Sequence, residues 1–217
     1  THTQSASPTL PDLRSHIIER MDITRADLRR ITYAEFGEMV EALTDAVRAA
    51  CEKENIRIET VAPILRSGGM TGCHLASRLG VTSIIPVCYQ HTYNPDHPIR
   101  RGFEMPDLPD ARLEPAGIVL VDTNTVTGSV ATHAALEIRK RWPSSTIVFA
   151  SLYLDASIDT LPNIDFIISL QRTNERRTMS HAQALELGAT EDIIIFPWED
   201  LEEQWDAIQA AHVTHTP

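Results

Sequence analysis

Apolar residues recur at helical spacing through Phe36, Met39, Val40, Leu43 and Val47, so one face of this segment is built for burial. Immediately upstream, Thr32 and Glu35 occupy the cap and third positions of a capping box, whose hydroxyl and carboxylate take up amides that a helix start leaves unpaired. The spacing predicts a helix from about Tyr33 to Lys53. The pattern then changes to short, nearly continuous apolar runs: Ile58 to Leu65, Val81 to Cys88, Ile118 to Val121, Thr146 to Leu154, Ile164 to Leu170 and Ile193 to Phe196. Such runs, rich in β-branched residues, suit strands buried on both faces of a parallel sheet. Between them lie helical segments: a small-residue stretch reaching Leu79, one from Ser129 to Trp142, and a terminal amphipathic one from Trp198 to Ala211. Strand and helix alternate, which predicts an α/β fold with a mainly parallel sheet flanked by helices.

Two stretches fall outside this alternation. Tyr89 to Pro115 is polar and carries Pro95, Pro98, Pro106 and Pro109; a loop this long inside a compact domain is usually functional. Arg172 to Glu191 is irregular and rich in arginine. The first dozen residues read as a loose arm, and no repeat or low-complexity tract divides the chain. We therefore expect a single domain over residues 1–217, with a C-terminal part, 171–217, of its own character.

Composition narrows the function classes. Apolar residues make up 42 % and charged residues 23 % of the chain, an ordinary globular balance. No apolar run approaches the roughly 20 residues of a spanning helix. Thr1 to Pro11 shows no signal-peptide core, and a cytoplasmic location is expected. The formal net charge of −11 argues against general nucleic-acid binding, because phosphate backbones select basic surfaces. Cys51, Cys73 and Cys88 are odd in number and widely spaced, so they read as reduced core thiols rather than a disulfide framework or zinc site. The nine histidines are scattered, and no metal site is read from them.

The chemistry concentrates in two turns, each at the carboxyl end of an expected strand, where open parallel sheets bind ligands. In the first, the strand Ile118 to Val121 ends on Asp122, and Thr123, Asn124, Thr125, Val126, Thr127 and Gly128 lead into a helix at Ser129. Consecutive amides at a helix start, with hydroxyls beside them, suit a phosphate monoester. A carboxylate just upstream suits a sugar diol, since it accepts two hydroxyl protons. The same residues would equally serve as an ordinary capping turn.

The run from Ile118 to Ser129 resembles the phosphoribosyl pyrophosphate (PRPP) motif of type I phosphoribosyltransferases. The resemblance places Asp122 at the ribose and Thr125 to Ser129 at the 5′-phosphate, with Thr123 where a second acid is common. The second turn, Ala62-Pro63-Ile64-Leu65-Arg66-Ser67-Gly68-Gly69, is similar to the Pro-Ile-Leu-Arg-Ala-Gly pyrophosphate loop of uracil phosphoribosyltransferases. It implies that Leu65, Arg66, Ser67 and Gly68 meet the pyrophosphate. Tyr89 to Asp110 matches the family's closing loop, with Arg100 and Arg101 as its candidate basic residues. The resemblance further implies magnesium delivered with PRPP, with Asp122 as its one candidate protein contact, a nucleobase-like acceptor, and a homodimer or larger assembly.

The base-reading part departs from the family. Nothing after Leu170 is similar to the Pro-Gly-Leu-Gly-Asp segment of the uracil enzymes, and Gln90 stands where they place an arginine. Pro197-Trp198-Glu199 resembles the ending of the xanthine-guanine type, yet Val126, Tyr153 and Ile193 take the positions of that type's loop aspartate, purine-contacting lysine and stacking aromatic. Arg172, Arg176 and Arg177 are candidates for an acidic group on an unusual acceptor, or a solvated loop. Trp198 and Trp205, seven apart, read as a core or dimer face. Two functions stay open: transfer of phosphoribose to a base with release of pyrophosphate, and a binding module that keeps the pocket as a sensor or effector.

Overall fold

The computed structural model describes residues 23–94, 97–104 and 114–213. The N-terminal arm, and residues 95–96 and 105–110 of the expected closing loop, lie outside the described residues. A short strand, β1 (Leu28–Arg30), precedes helix α1 (Tyr33–Lys53). The capping box forms as expected: Glu35 N donates to Thr32 Oγ1 at 3.1 Å, and Thr32 N donates to Glu35 Oε2 at 2.7 Å. The buried side of α1 is Phe36, Val40, Leu43, Thr44, Val47 and Cys51, the stripe that the spacing predicts.

The central sheet contains β2 (Ile58–Leu65), β3 (Ser83–Ile84), β4 (Val87–Asn94), β5 (His97–Glu104), β6 (Gly117–Thr125), β7 (Thr146–Asp155) and β8 (Phe166–Thr173). Its main order is β5-β4-β2-β6-β7-β8, with β3 also paired to β2. All pairings are parallel except the β4–β5 hairpin. Helix α2 (Ser67–Leu79) follows β2, and α3 (Ser129–Arg141) follows β6. Helices α1 and α2 cover one face in a core with Val119, Val121, Val148 and Ala150. Helix α3 covers the other through Ala131, Ala134, Ala135 and Ile138, against Ile118, Leu120 and Phe149.

Three expectations change. The run Val81 to Cys88 is two strands: Ile85 N still donates to Val61 O at 2.9 Å, but Pro86 has no amide with which to continue the ladder. Much of the stretch expected to be a loop after Tyr89 is the β4–β5 hairpin, with Arg100 opposite Thr92 and Arg101 opposite His91. Ile193 to Ile195 forms β9, which pairs in parallel with β1 outside the central sheet. The arginine-rich segment includes the short helix α4 (His181–Glu186), and α5 (Leu201–Val213) closes the described chain. Trp198 therefore precedes α5 and stacks on Phe196, centroids 5.1 Å apart, while Arg25 lies over the Trp205 ring at 5.5 Å. Of the three free cysteines only Cys51 is buried; Cys73 and Cys88 are exposed. No helix among the described residues is long and apolar enough to cross a membrane.

Replacing Thr32 with Ala removes half of the capping box, and should lower unfolding free energy by about 1 kcal/mol in urea titration. An unchanged midpoint would mean that the cap carries no stability.

Candidate functional site

The order in which strands are added reverses between the parallel neighbours β2 and β6: the connection after β2 runs outward to β4, and the one after β6 runs the other way to β7. Ligands in open α/β sheets bind at such a switch point, beyond the carboxyl ends of the strands. Both predicted turns lie there. Their proximity is enforced by Gly68, where a Cβ would stand 2.5 Å from Val121 O and 3.3 Å from Asp122 Cα. Only a residue without a side chain lets the first turn of α2 sit against the end of β6. The Leu65–Arg66 peptide is cis. Arg66 is exposed at the rim of the crevice.

Asp122 stands at the junction of the two turns and is 9 % exposed. Its Oδ1 accepts from Thr123 N at 2.8 Å and from Ser67 Oγ at 3.3 Å. Burial is the dominant influence on its carboxyl and lifts the pKa from 3.8 to about 7, against the pull of those two donors. Among the described residues no cationic side chain acts on it. Asp122 is thus a carboxylate at the meeting point of two amide-lined turns and short of positive charge.

The remaining residues of the first turn divide by what they touch. Thr123 Oγ1 lies 3.2 Å from Thr71 Oγ1 and Thr125 Oγ1 lies 3.2 Å from Ser151 Oγ, both buried. These two hydroxyls tie β6 to α2 and β7, so Thr123 is committed to the interior rather than to the position of a second acid. Asn124 Nδ2 donates to Glu175 Oε2 at 3.3 Å. Val126, Thr127 and Gly128 form the loop before α3, and Thr127 Oγ1 accepts from Ser129 N, the first residue of α3, at 3.3 Å. Gly128 holds a φ of 68° as the N-cap of α3, and a Cβ there would meet Leu161 Cδ2 at 2.3 Å. The amides of the first turn of α3 lie at the positive end of its dipole.

Other candidates are not at the crevice. Tyr153 is buried in the core beside Phe196, ring centroids 6.0 Å apart, with its hydroxyl 3.5 Å from Met39 Sδ; it stands in for no base-contacting lysine. Ile193 pairs with Leu28 in the small sheet. Two of the three arginines are structural: Arg172 donates to Ile158 O at 2.7 Å, and Arg177 bridges Asp27 and Glu191, each at 3.0 Å. Arg176 remains exposed.

Two carboxylates escaped the reading of the sequence. Asp155 ends β7 and is fully buried, and Glu175 follows β8. Burial raises the Glu175 carboxyl; the Asn124 hydrogen bond opposes this, nearby Asp155 adds to it, Arg176 opposes it, and Glu199 adds the smallest push. The signal for Asp155 was the one used for Asp122, an apolar strand ending on an acid. Glu175 was hidden among the arginines around it.

The sequence matches no protein-family model, and no curated protein matches it. Solved structures do share its fold. Purine phosphoribosyltransferase from Pyrococcus horikoshii aligns at 19 % identity over 80 % of this chain and 95 % of its own, with a TM-score of 0.53. Xanthine-guanine-hypoxanthine phosphoribosyltransferase from Helicobacter pylori aligns at 13 % identity over 82 % of this chain and 98 % of its own, at 0.55. A hypothetical protein from Neisseria gonorrhoeae with bound ppGpp aligns at 14 % identity over 85 % and 98 %, at 0.53. The chain has the type I phosphoribosyltransferase fold.

The buried Asp122 dictates a pH signature. Its native pKa, about 7, lies above the ordinary 3.8, so the native state keeps a proton that the unfolded chain releases. The resulting stabilisation is complete below about pH 4 and is lost as pH rises through about 7, a change of roughly 2–4 kcal/mol. Asp122→Asn should flatten this slope and be the more stable protein at pH 8. Parallel urea midpoints for variant and parent across that range would refute the assignment.

Proposed function

We propose that this protein binds PRPP in the crevice between β2 and β6 and transfers its phosphoribosyl group to a nitrogen base, releasing pyrophosphate. The observation that carries this reading is the convergence on Asp122 of two amide-lined turns at the switch point of a type I phosphoribosyltransferase fold. In this reading Asp122 accepts hydrogen bonds from the ribose diol. The amides of Val126 to Ser129 hold the 5′-phosphate. Leu65 to Gly68, with the exposed Arg66, receive the pyrophosphate. The bond from C1 of the ribose to the pyrophosphate oxygen breaks as a bond to the base nitrogen forms, and the leaving pyrophosphate keeps the electron pair. Aligning these groups and stabilising the departing charge is the protein's contribution. Either Arg100 or Arg101 on β5 is proposed as the basic residue of the hairpin, since successive strand residues face opposite sides of the sheet.

Magnesium fits this arrangement only as a companion of the diphosphate. Among the described residues no three His, Cys, Asp or Glu side chains could hold a metal, and Asp122 is the single carboxylate at the junction. When bound, the ion would offset diphosphate charge. A homodimer and a cytoplasmic location accompany the proposal.

A second reading, a nucleotide-binding sensor or effector, is favoured by two observations. Val126 and the inward-turned Thr123 put no second carboxylate at the loop, and the Neisseria protein of the same fold is bound to ppGpp.

Turnover separates the two. Pyrophosphate release from PRPP with magnesium should exceed the no-base control for at least one purine or pyrimidine. Binding without release from any base would leave the sensor reading. By calorimetry, Asp122→Asn should weaken PRPP binding at least about tenfold, and equal affinity would remove Asp122 from the site. Because the ionised carboxylate is the better acceptor for the diol, affinity in the parent should rise with pH through about 7, the pKa of Asp122. A flat profile would count against the diol contact.

A further inference from the structure

Ser67 is the first residue of α2 and belongs to the turn proposed to receive pyrophosphate. A serine at a helix start ordinarily turns its hydroxyl onto the free amides of its own helix. Here the N-cap is Arg66 and no side chain caps α2. The Ser67 hydroxyl instead spans 55 residues of sequence and donates to Asp122 Oδ1 at 3.3 Å. The same oxygen accepts from Thr123 N at 2.8 Å. Both bonds therefore fall on Oδ1, and among the described residues nothing donates to Oδ2. Unlike Asp155 Oδ2, this oxygen is not shut off from solvent, and Asp122 as a whole is 9 % exposed. The oxygen without a donor is the one a ligand can reach.

Ser67 is itself held in place. Gly69 N donates to Arg66 O at 3.1 Å and closes the first turn around it. One turn further along α2, Thr71 Oγ1 lies 3.2 Å from Thr123 Oγ1. Ser151, the register partner of Asp122 on β7, does not substitute for Ser67. Its hydroxyl is engaged with Thr125 Oγ1 at 3.2 Å and Tyr153 O at 2.7 Å. Among the described residues Ser67 is thus the side chain that donates to Asp122. A hydroxyl bond to a carboxylate is charge-assisted and directional. With two donors on one oxygen, the carboxyl cannot turn freely about its Cβ–Cγ bond.

We propose that Ser67 is a positioning residue: with the Thr123 amide it clamps Oδ1 of Asp122 and presents Oδ2 to the ribose diol. The proposal rests on the placement of ribose at Asp122. It divides Ser67 between the two halves of the ligand, the amide for the pyrophosphate side and the hydroxyl for the sugar side. Without the hydroxyl the carboxyl samples more orientations, and the diol meets an acceptor that is no longer set in advance. A sugar lacking one hydroxyl of the diol loses less.

The test is equilibrium binding of ribose 5-phosphate and 2-deoxyribose 5-phosphate to the full chain, without magnesium. At pH 8 Asp122, with its pKa of about 7, is mostly ionised. The parent should bind the ribose compound at least about tenfold tighter, because a site that pairs a hydroxyl rejects the analogue without it. Ser67→Ala should cut this preference to about threefold or less, and Ser67→Thr, which keeps a hydroxyl, should restore it. A merely structural defect would weaken both sugars alike and leave their ratio intact. An unchanged ratio in Ser67→Ala, or one equally lost in Ser67→Thr, would overturn the clamp. Absence of any preference in the parent would instead overturn the placement of ribose at Asp122. The clamp is then decided without a ligand, by urea titration of Ser67→Ala, Asp122→Ala and the double variant at pH 8. The double variant's unfolding constant should fall at least about threefold below the product of the two single effects. Additive effects would overturn the clamp.

Discussion

The first turn of α2 lies so close to the end of β6 that the position facing Val121 O has room for a hydrogen and nothing larger. That contact brings two turns, 55 residues apart in sequence, to the same carboxylate. Were α2 held back by a Cβ, Ser67 would leave Asp122, and the crevice at the switch point would have no common centre. Thr71 and Thr123 extend the same seam inward by one hydroxyl contact.

The price of the arrangement is a carboxylate desolvated with no cation beside it among the described residues. A lone buried charge is expensive, and Asp122 answers by holding its proton to about pH 7. A ligand that brings hydroxyl donors repays the carboxylate for the water it has lost. On the neighbouring strand β7, Asp155 is also buried, with its Oδ1 securing a turn through Ser157 N.

The segment after β8 does structural work with charges that look available in the sequence. Arg177, at a positive φ of 51°, ties the segment to Asp27 and Glu191. Arg172 is anchored on a backbone carbonyl. Phe196 and Trp198 stack beside Phe36, so the Pro-Trp-Glu stretch supports α1 while Glu199 Oε2 accepts from Phe196 N at 2.8 Å. Of the three arginines only Arg176 remains exposed.

The sequence by itself determined the longer helices, most strands and the two turns, but not α4. Those features depend on interactions within a few residues: the Thr32–Glu35 cap, the stripe from Phe36 to Val47, and the apolar run that stops at Asp122. It also determined the α/β class, since continuous apolar strands separated by helices need a sheet covered on both faces. Tertiary structure decided which charges are free. Whether Arg177 is paired, Tyr153 buried or Asp155 left with an open oxygen depends on partners far away in the chain, and no local pattern records them. It also decided that Ile193 to Ile195 pairs with Leu28 to Arg30 instead of joining the central sheet, because edge pairing is chosen by which backbone comes near, while β propensity reports only that a strand is ready to pair.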